Sequence, residues 1–327
     1  MKTHYIKIDP LNPEQKLIDM AASLIKSREL VAFPTETVYG LGADAFCLEA
    51  VGKIFKAKGR PPEHPLLVHI SNLEQVYPLV EELPNDALKL MREFWPGPLS
   101  IILPASQAIP DIVRGGLRGV GLRMPDHRVA LGLIDQTGPL AAPSANRYGR
   151  PSPITAQDVK EELDGRIAAV LDAGPTGIGL ESTIIDMQDE EYKLLRRGGI
   201  PLERIERVLG KRLGAQEVKG ARPYLTTLAI YLAHDFKELD LILQEAASKQ
   251  KKTAMVNYTG QNYTHHLPLD LEYELDMEQG GVQLYSIIRE CEAEGIDQLV
   301  FAPLPSPIGG IAATIIDRIV RAASSQD

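Results

Sequence analysis

At 327 residues, with 44% apolar and 24% charged positions, the chain has an ordinary globular composition and the length of about two domains. Its formal charge of −9 is evenly spread, with 24 basic against 28 acidic residues in 1–210 and 11 against 16 in 211–327, so neither half has the positive balance of a module built to grip a phosphate backbone. Cys47 and Cys291 lie too far apart in sequence to suggest a disulfide framework or a cysteine metal site, and no apolar run approaches the roughly 20 residues of a membrane span, so a cytoplasmic protein is expected.

In chain order, Asn12 and Pro13 read as the N-cap and first position of a helix whose apolar face is Leu17, Ala21, Leu24 and Ile25. "LVAFP" predicts a buried strand, "EAVGKIFKAK" a helix stopped at Gly59, and "PLLVHI" a second buried strand. Basic residues in the last turn of the helix at 49–58 face the negative end of its dipole, which is a sufficient structural reason for Lys56 and Lys58. Helices are predicted at "LEQVYPLVEEL" and "DALKLMREFW", then strands at "LSIIL", "GVGLRMP", "PLAAP", "AAVLDA", "ESTIIDM" and "YKLLRR". Further helices fall at "RVALGLIDQT", "TAQDVKEEL" and "PLERIERVL". This is an α/β domain with a mixed sheet over 1–210. A linker follows at 211–228, and 229–327 alternates strand and helix as a smaller Rossmann-like α/β domain.

Common nucleotide, zinc and esterase signatures are absent: no GxxxxGK[ST], no completed G-x-G-x-x-G, no H-E-x-x-H and no G-x-S-x-G occurs. What stands out is polar chemistry at strand ends, where open α/β sheets line a ligand crevice. Thr35, Glu36, Thr37 and Tyr39 follow "LVAF"; Ser144, Asn146, Arg147, Arg150 and Ser152 follow "PLAA"; Arg123 closes "VGL"; Arg196 and Arg197 close another strand. Each alone is an ordinary turn or surface residue. Together they suit a polyphosphate and a small amphoteric ligand. Lys58 and Arg60 flank Gly59 and can meet one anion, while Arg196, Ser144 and Ser152 add donors for phosphate oxygens. Arg123 suits a carboxylate, and Thr37, His69 and Ser182 suit an amine or hydroxyl.

"PTETVYGLGADA", "KAKGRPPEHPLLVHI", "WPGPLSIIL", "VGLRMPDH", "PLAAPSANRYGRPSP" and "ESTIID" with "LLRRG" occur in the order seen in the YrdC-like threonylcarbamoyl-AMP synthase family, which the chain resembles over residues 1–210. The C-terminal stretch from "QLYSIIREC" onward resembles the extra domain of that family's long form. The resemblance implies a YrdC-like domain with a concave crevice, and a reaction of L-threonine, bicarbonate and ATP with Mg²⁺ that yields threonylcarbamoyl-adenylate and pyrophosphate. A separate transferase would pass the product to a tRNA adenosine; direct tRNA binding stays open.

Residue by residue, the resemblance puts ATP near Lys58, Arg60, His64, Gly119, Ser144, Asn146, Ser152, Arg196 and the linker's Tyr224. It puts threonine near Thr37, His69, Arg123, Ala142 and Ser182, with Lys58 and Arg60 catalytic by charge and with no metal ligands from the protein. His64 and Gly119 stand where the family pattern usually has Asn and Thr. Two rival readings are a non-catalytic RNA-binding module and carbamoyl transfer to another acceptor. The first predicts steeply salt-dependent RNA affinity, and the second predicts use of carbamoyl phosphate.

Overall fold

A computed structural model describes residues 2–215, 225–261, 263–265, 267–306 and 309–323. Contacts divide the chain into two units, Met1–Tyr148 with Ser152–Val218, and Gly149–Pro151 with Lys219–Asp327.

In the first unit the elements are β1 (His4–Lys7), α1 (Gln15–Lys26), β2 (Val31–Phe33), β3 (Gly40–Asp44), α2 (Leu48–Lys58), β4 (Leu67–His69), α3 (Asn85–Phe94), β5 (Leu99–Pro104) and α4 (Asp111–Arg114). They continue as β6 (Gly119–Arg123), α5 (Arg128–Thr137), β7 (Leu140–Ala141), α6 (Ala156–Leu163), β8 (Ala169–Asp172), β9 (Thr183–Asp186), β10 (Lys193–Arg196), α7 (Leu202–Leu209) and β11 (Gly214–Ala215). The strands form one mixed sheet in the order β1-β8-β2-β3-β7-β4-β6-β5-β9-β10-β11.

Alternation along the strands gives this sheet two buried faces. Ala32, Val68, Ile101, Leu122 and Ala141 join the core that includes Ile54 of α2 and Leu90 and Met91 of α3. Their neighbours Val31, Phe33, Leu140 and Ala142 join a second core with Ile18 and Ile25 of α1 and Leu133 and Ile134 of α5. Because Val68 and Leu122 face the first core, His69 and Arg123 fall on the opposite face. The parallel register of β4 and β6 sets His69 directly beside Arg123, and β7 pairs antiparallel on the other side of β4, with Leu140 opposite His69.

Three local expectations change. Helix α1 begins at Gln15, after Asn12 and Pro13, because Asp9 Oδ1 accepts from the amides of Leu11 and Asn12 and shapes a preceding turn. The helix expected at "LEQVYPLVEEL" is two short 3₁₀ turns, Leu73–Gln75 and Tyr77–Leu79; Pro78 cannot donate a helical hydrogen bond. "GLGAD", for which no element is predicted, is β3, antiparallel to both β2 and β7.

The second unit holds β12 (Ala229–Leu232), α8 (Phe236–Ser248), β13 (Thr253–Tyr258), β14 (Leu271–Leu275), α9 (Gly281–Ala293), β15 (Gln298–Phe301) and α10 (Gly310–Ala323). Its four strands are all parallel, in the order β12-β15-β13-β14. Arg150 groups with this unit, where it forms a two-pronged ion pair with Glu292 at 2.8 and 2.6 Å.

Gly198 marks a close backbone approach in the first unit. A Cβ there would lie 2.2 Å from the Ser182 carbonyl carbon and 2.3 Å from the Thr183 nitrogen, while Gly199 N–H donates to Glu181 O at 3.0 Å. Gly52, inside α2, has nothing within 4 Å of the same added atom. Gly198→Ala is therefore expected to destabilise the chain by about 2 kcal/mol or more, through backbone displacement. Gly52→Ala should stabilise it by about 0.5–1 kcal/mol through helix propensity. Urea denaturation of the two variants beside the wild type checks both signs.

Candidate active site

The first polar cluster forms where α2 ends. Gly59, at φ 64°, adopts the left-handed conformation that stops the helix, and its N–H returns to Phe55 O. Lys58, the last helical residue, is buried, and its ammonium donates to the backbone oxygens of Ser144 and Asn146. In return Tyr148 N–H donates to Lys58 O at 2.8 Å. Burial, and then the Arg60 charge, holds the Lys58 pKa well below the ordinary lysine value, while Glu162 works in the other direction. Lys56 is exposed, as a purely dipole-facing lysine would be.

Arg60 turns back over its own loop. Its Nε donates to His64 O at 3.4 Å and its Nη2 to Pro65 O at 3.0 Å, with the guanidinium 5.9 Å from the centre of the Tyr148 ring. His64 meets the same tyrosine at a ring separation of 5.4 Å, with Nε2 3.5 Å from the Tyr148 hydroxyl. Asn146 Nδ2 donates to Arg147 O, and Arg147 pairs outward with buried Glu162 at 3.0 Å. Lys58, Arg60, His64, Ser144 and Asn146 are thus tied into one loop cluster with Tyr148.

A second cluster surrounds Arg123, only 4% exposed at the end of β6. Its Nη2 donates to Thr37 Oγ1 at 2.9 Å and lies 2.7 Å from Glu36 Oε2, and its Nε points to Gly97 O at 3.4 Å. Thr35 completes the bend: its hydroxyl is 2.8 Å from that of Thr37 and donates to Val38 O. His69 sits beside Arg123 with its ring edge-on to Phe33, at 6.2 Å. Its Nδ1 is closed to solvent and without a hydrogen-bond partner. Burial, and then the Arg123 charge, lowers the His69 pKa well below the usual histidine value, so the ring is neutral at pH 7. Ala142, just past β7, lies on the same apolar face as Phe33 and Leu140.

A third cluster joins β9 and β10. Arg196 donates through Nε to Ser182 O at 2.9 Å and through Nη2 to Ser182 Oγ at 3.0 Å. Ser182, fully buried, is also 2.7 Å from the hydroxyl of Ser100 on β5. Ser152 donates to Glu181 Oε1 at 2.7 Å, which brings the serine-rich loop to the same strand start.

Gly119 stands apart from these clusters. It opens β6 opposite Pro104, four residues and about 13 Å along the strand from Arg123. A Cβ there would meet the Gln188 amide oxygen at 2.5 Å and Ile102 at 2.7 Å, so glycine makes room for the Gln188 side chain. Tyr224 lies outside the described residues.

Glu36, Ser100, Tyr148 and Glu181 are in the clusters without a role assigned from sequence. Ser100 had a signal, as the one polar interruption of the apolar strand "LSIIL"; Glu181 directly precedes Ser182.

The family described as "Telomere recombination" (Sua5/YciO/YrdC) matches residues 23–198. A Bacillus subtilis protein named threonylcarbamoyl-AMP synthase is 38% identical, over 97% of this chain and 96% of its own length. One of the same name from Pyrococcus abyssi is 50% identical over 61% of this chain and 58% of its own. The crystal structure of P. abyssi Sua5 complexed with L-threonine superposes with a TM-score of 0.90 at 34% identity, over 99% of this chain and 98% of that one.

The neutral, buried His69 has a measurable consequence. Its folded pKa is lowered, so below the unfolded value of about 6.5 the unfolded state binds the extra proton, and stability falls as pH falls. Between pH 7.5 and 5.5 the wild type should lose stability with a slope approaching about 1.4 kcal/mol per pH unit from this residue. His69→Gln should flatten that slope in denaturant titrations, whatever its effect on the stability at pH 7.5.

Proposed function

This chain belongs to the Sua5/YciO/YrdC family, and on that footing we propose that it is a threonylcarbamoyl-AMP synthase, converting L-threonine, bicarbonate and ATP to L-threonylcarbamoyladenylate, pyrophosphate and water. The observation that carries this reading is the Arg196 to Ser182 hydrogen bond at 3.0 Å. It joins a cation suited to phosphate to a hydroxyl suited to an amino acid, at the place where two substrates have to meet. The rival reading as a non-catalytic RNA-binding module is not favoured by the relatives' names.

In this reading Arg123 takes the threonine carboxylate, with Thr37 and Ser182 as hydroxyl partners. Ala142 and Phe33 offer an apolar wall for the methyl group. Neutral His69 contributes a hydrogen-bonding nitrogen without adding charge beside Arg123. Arg60, Lys58 and Arg196 face the nucleotide phosphates, with Ser144, Asn146, Ser152 and the loop around His64 completing that side. Gly119 can offer only backbone.

No residue is placed as a covalent nucleophile. The threonine amine attacks the carbon of bicarbonate or of CO₂ derived from it, and the resulting carbamate oxygen attacks the α-phosphate as pyrophosphate leaves. Two anions must be held together for the second step, and the cations offset that repulsion and the charge on the leaving phosphates. Held in one crevice, the reactants gain the rate advantage of proximity. Among the described residues no three His, Cys, Asp or Glu side chains stand close enough to hold a metal ion. Mg²⁺ is read as arriving with the ATP phosphates, and no step is assigned to it.

The product would pass to a separate tRNA-modifying transferase. No helix among the described residues is long and apolar enough to cross a membrane, and a cytoplasmic location is part of the proposal.

Pyrophosphate release in the presence of ATP, Mg²⁺, L-threonine and bicarbonate tests the reading; release that persists when threonine or bicarbonate is omitted would overturn it. Arg60→Ala should lower the rate by about 100-fold or more, the scale of losing one charge-stabilising group. Lys56→Ala should stay within about twofold, since an exposed cation adds little. Lys58→Ala should lose both activity and stability, the latter by about 1–3 kcal/mol, because two buried carbonyls are left without their donor.

A further inference from the structure

Glu36 is the charged member of the Arg123 cluster that the proposed reaction does not use. Its side chain is only 12% exposed, and its carbonyl oxygen is pinned by Ile178 N–H at 2.8 Å. Oε2 lies 2.7 Å from Arg123 Nη2, yet neither carboxylate oxygen makes a hydrogen bond, and both are closed to water. A buried carboxylate normally collects several donors, so this one has an unmet demand for N–H or O–H groups. Arg123 supplies charge, while the hydrogen bond its Nη2 makes in this cluster goes to Thr37.

The missing donor follows from the charges of the substrates, and this step rests on the function proposed above. ATP and bicarbonate are anions, repelled by Glu36 and drawn to Lys58, Arg60 and Arg196. The α-ammonium of an amino acid is the one cationic group among the three substrates, and it carries three N–H donors. Arg123 and Glu36 present adjacent charges of opposite sign, as the carboxylate and ammonium of a zwitterion do. Rotation about the Glu36 side-chain torsions between staggered positions gives its carboxylate reach toward a ligand held on Arg123.

We propose that Glu36 binds the α-ammonium group of the amino-acid substrate, while Arg123 binds its carboxylate. Glu36 thereby selects an amine-bearing acid over an otherwise identical hydroxy acid. It also offers no seat to bicarbonate, which is left to the cationic side of the crevice.

Calorimetric titration of the full chain with L-threonine and with its deaminated analogue (R)-3-hydroxybutyrate tests this directly. The wild type should prefer threonine by about tenfold or more, the worth of a charge-assisted hydrogen bond. Glu36→Gln should weaken threonine about tenfold and leave the analogue within about twofold, collapsing the preference, whereas Glu36→Asp should retain part of it. Thermal melting of both variants identifies any that is unfolded, in which case the Asp variant carries the comparison. Equal weakening of both ligands, or no change in preference, would overturn the assignment and leave Glu36 as a structural partner of Arg123. Failure of the wild type to bind threonine at all would instead overturn the functional reading on which the assignment rests.

Discussion

A buried ammonium ion with two backbone carbonyls for partners holds the crevice of the first unit together. Burying the charge of Lys58 costs several kcal/mol, and the oxygens of Ser144 and Asn146 offset that cost only while both stay in place. The Tyr148 N–H bond back to Lys58 O closes the link from the other side. Helix α2 and the segment 144–148 are therefore one mechanical piece, although more than eighty residues separate them in sequence. The loop carrying Arg60 and His64 leans on the same piece through Tyr148. Lys58 thus has a scaffolding function that would persist with any ligand.

The other clusters follow from how the sheet presents its strand ends. β4 and β6 run parallel and finish at the same level, which sets His69 beside Arg123 without a loop to position either. Strands β5 and β9 are also parallel and place Ser100 and Ser182 hydroxyl to hydroxyl, so that Arg196 reaches both the backbone and the side chain of Ser182. Three polar groups in these clusters have an acidic neighbour: Glu36 by Arg123, Glu181 by Ser152, Glu162 by Arg147. An acidic protein can thereby keep a cationic crevice, with the compensating charge built into its walls.

Much of this order was legible in the sequence because it is local. The stop at Gly59, the basic last turn of α2 and the apolar runs of β2, β4, β5 and β9 are written in residue periodicity and composition. Strand β3 was not legible, since "GLGAD" has poor intrinsic strand preference and exists through pairing with β2 and β7. The 3₁₀ turns around Pro78 share their apolar spacing with a helix, and one missing N–H decided between them. Strand-end polarity pointed to Thr37, Arg123, Ser144, Ser152 and Arg196 as a set. Their partnerships include residues 14 positions apart, Arg196 with Ser182, and 86 apart, Arg123 with Thr37. Nothing in periodicity encodes those. Glu36 stood in view within "PTETVYG", but a lone glutamate in a turn carries no signal until its neighbours are known.

The register of β4 against β6 carries a consequence for how such a chain can change over time. β4 has three residues and β6 has five, and Val68 and Leu122 fill the core on the face opposite His69 and Arg123. Deleting or inserting a single residue inside either strand would turn its polar end into the apolar core and its aliphatic residues toward the ligand. Substitutions can be absorbed one at a time, but a change of length there cannot be made by degrees. Gains and losses of sequence are consequently confined to the loops between strands, and these two neighbouring central strands act as the fixed ruler against which those loops are measured.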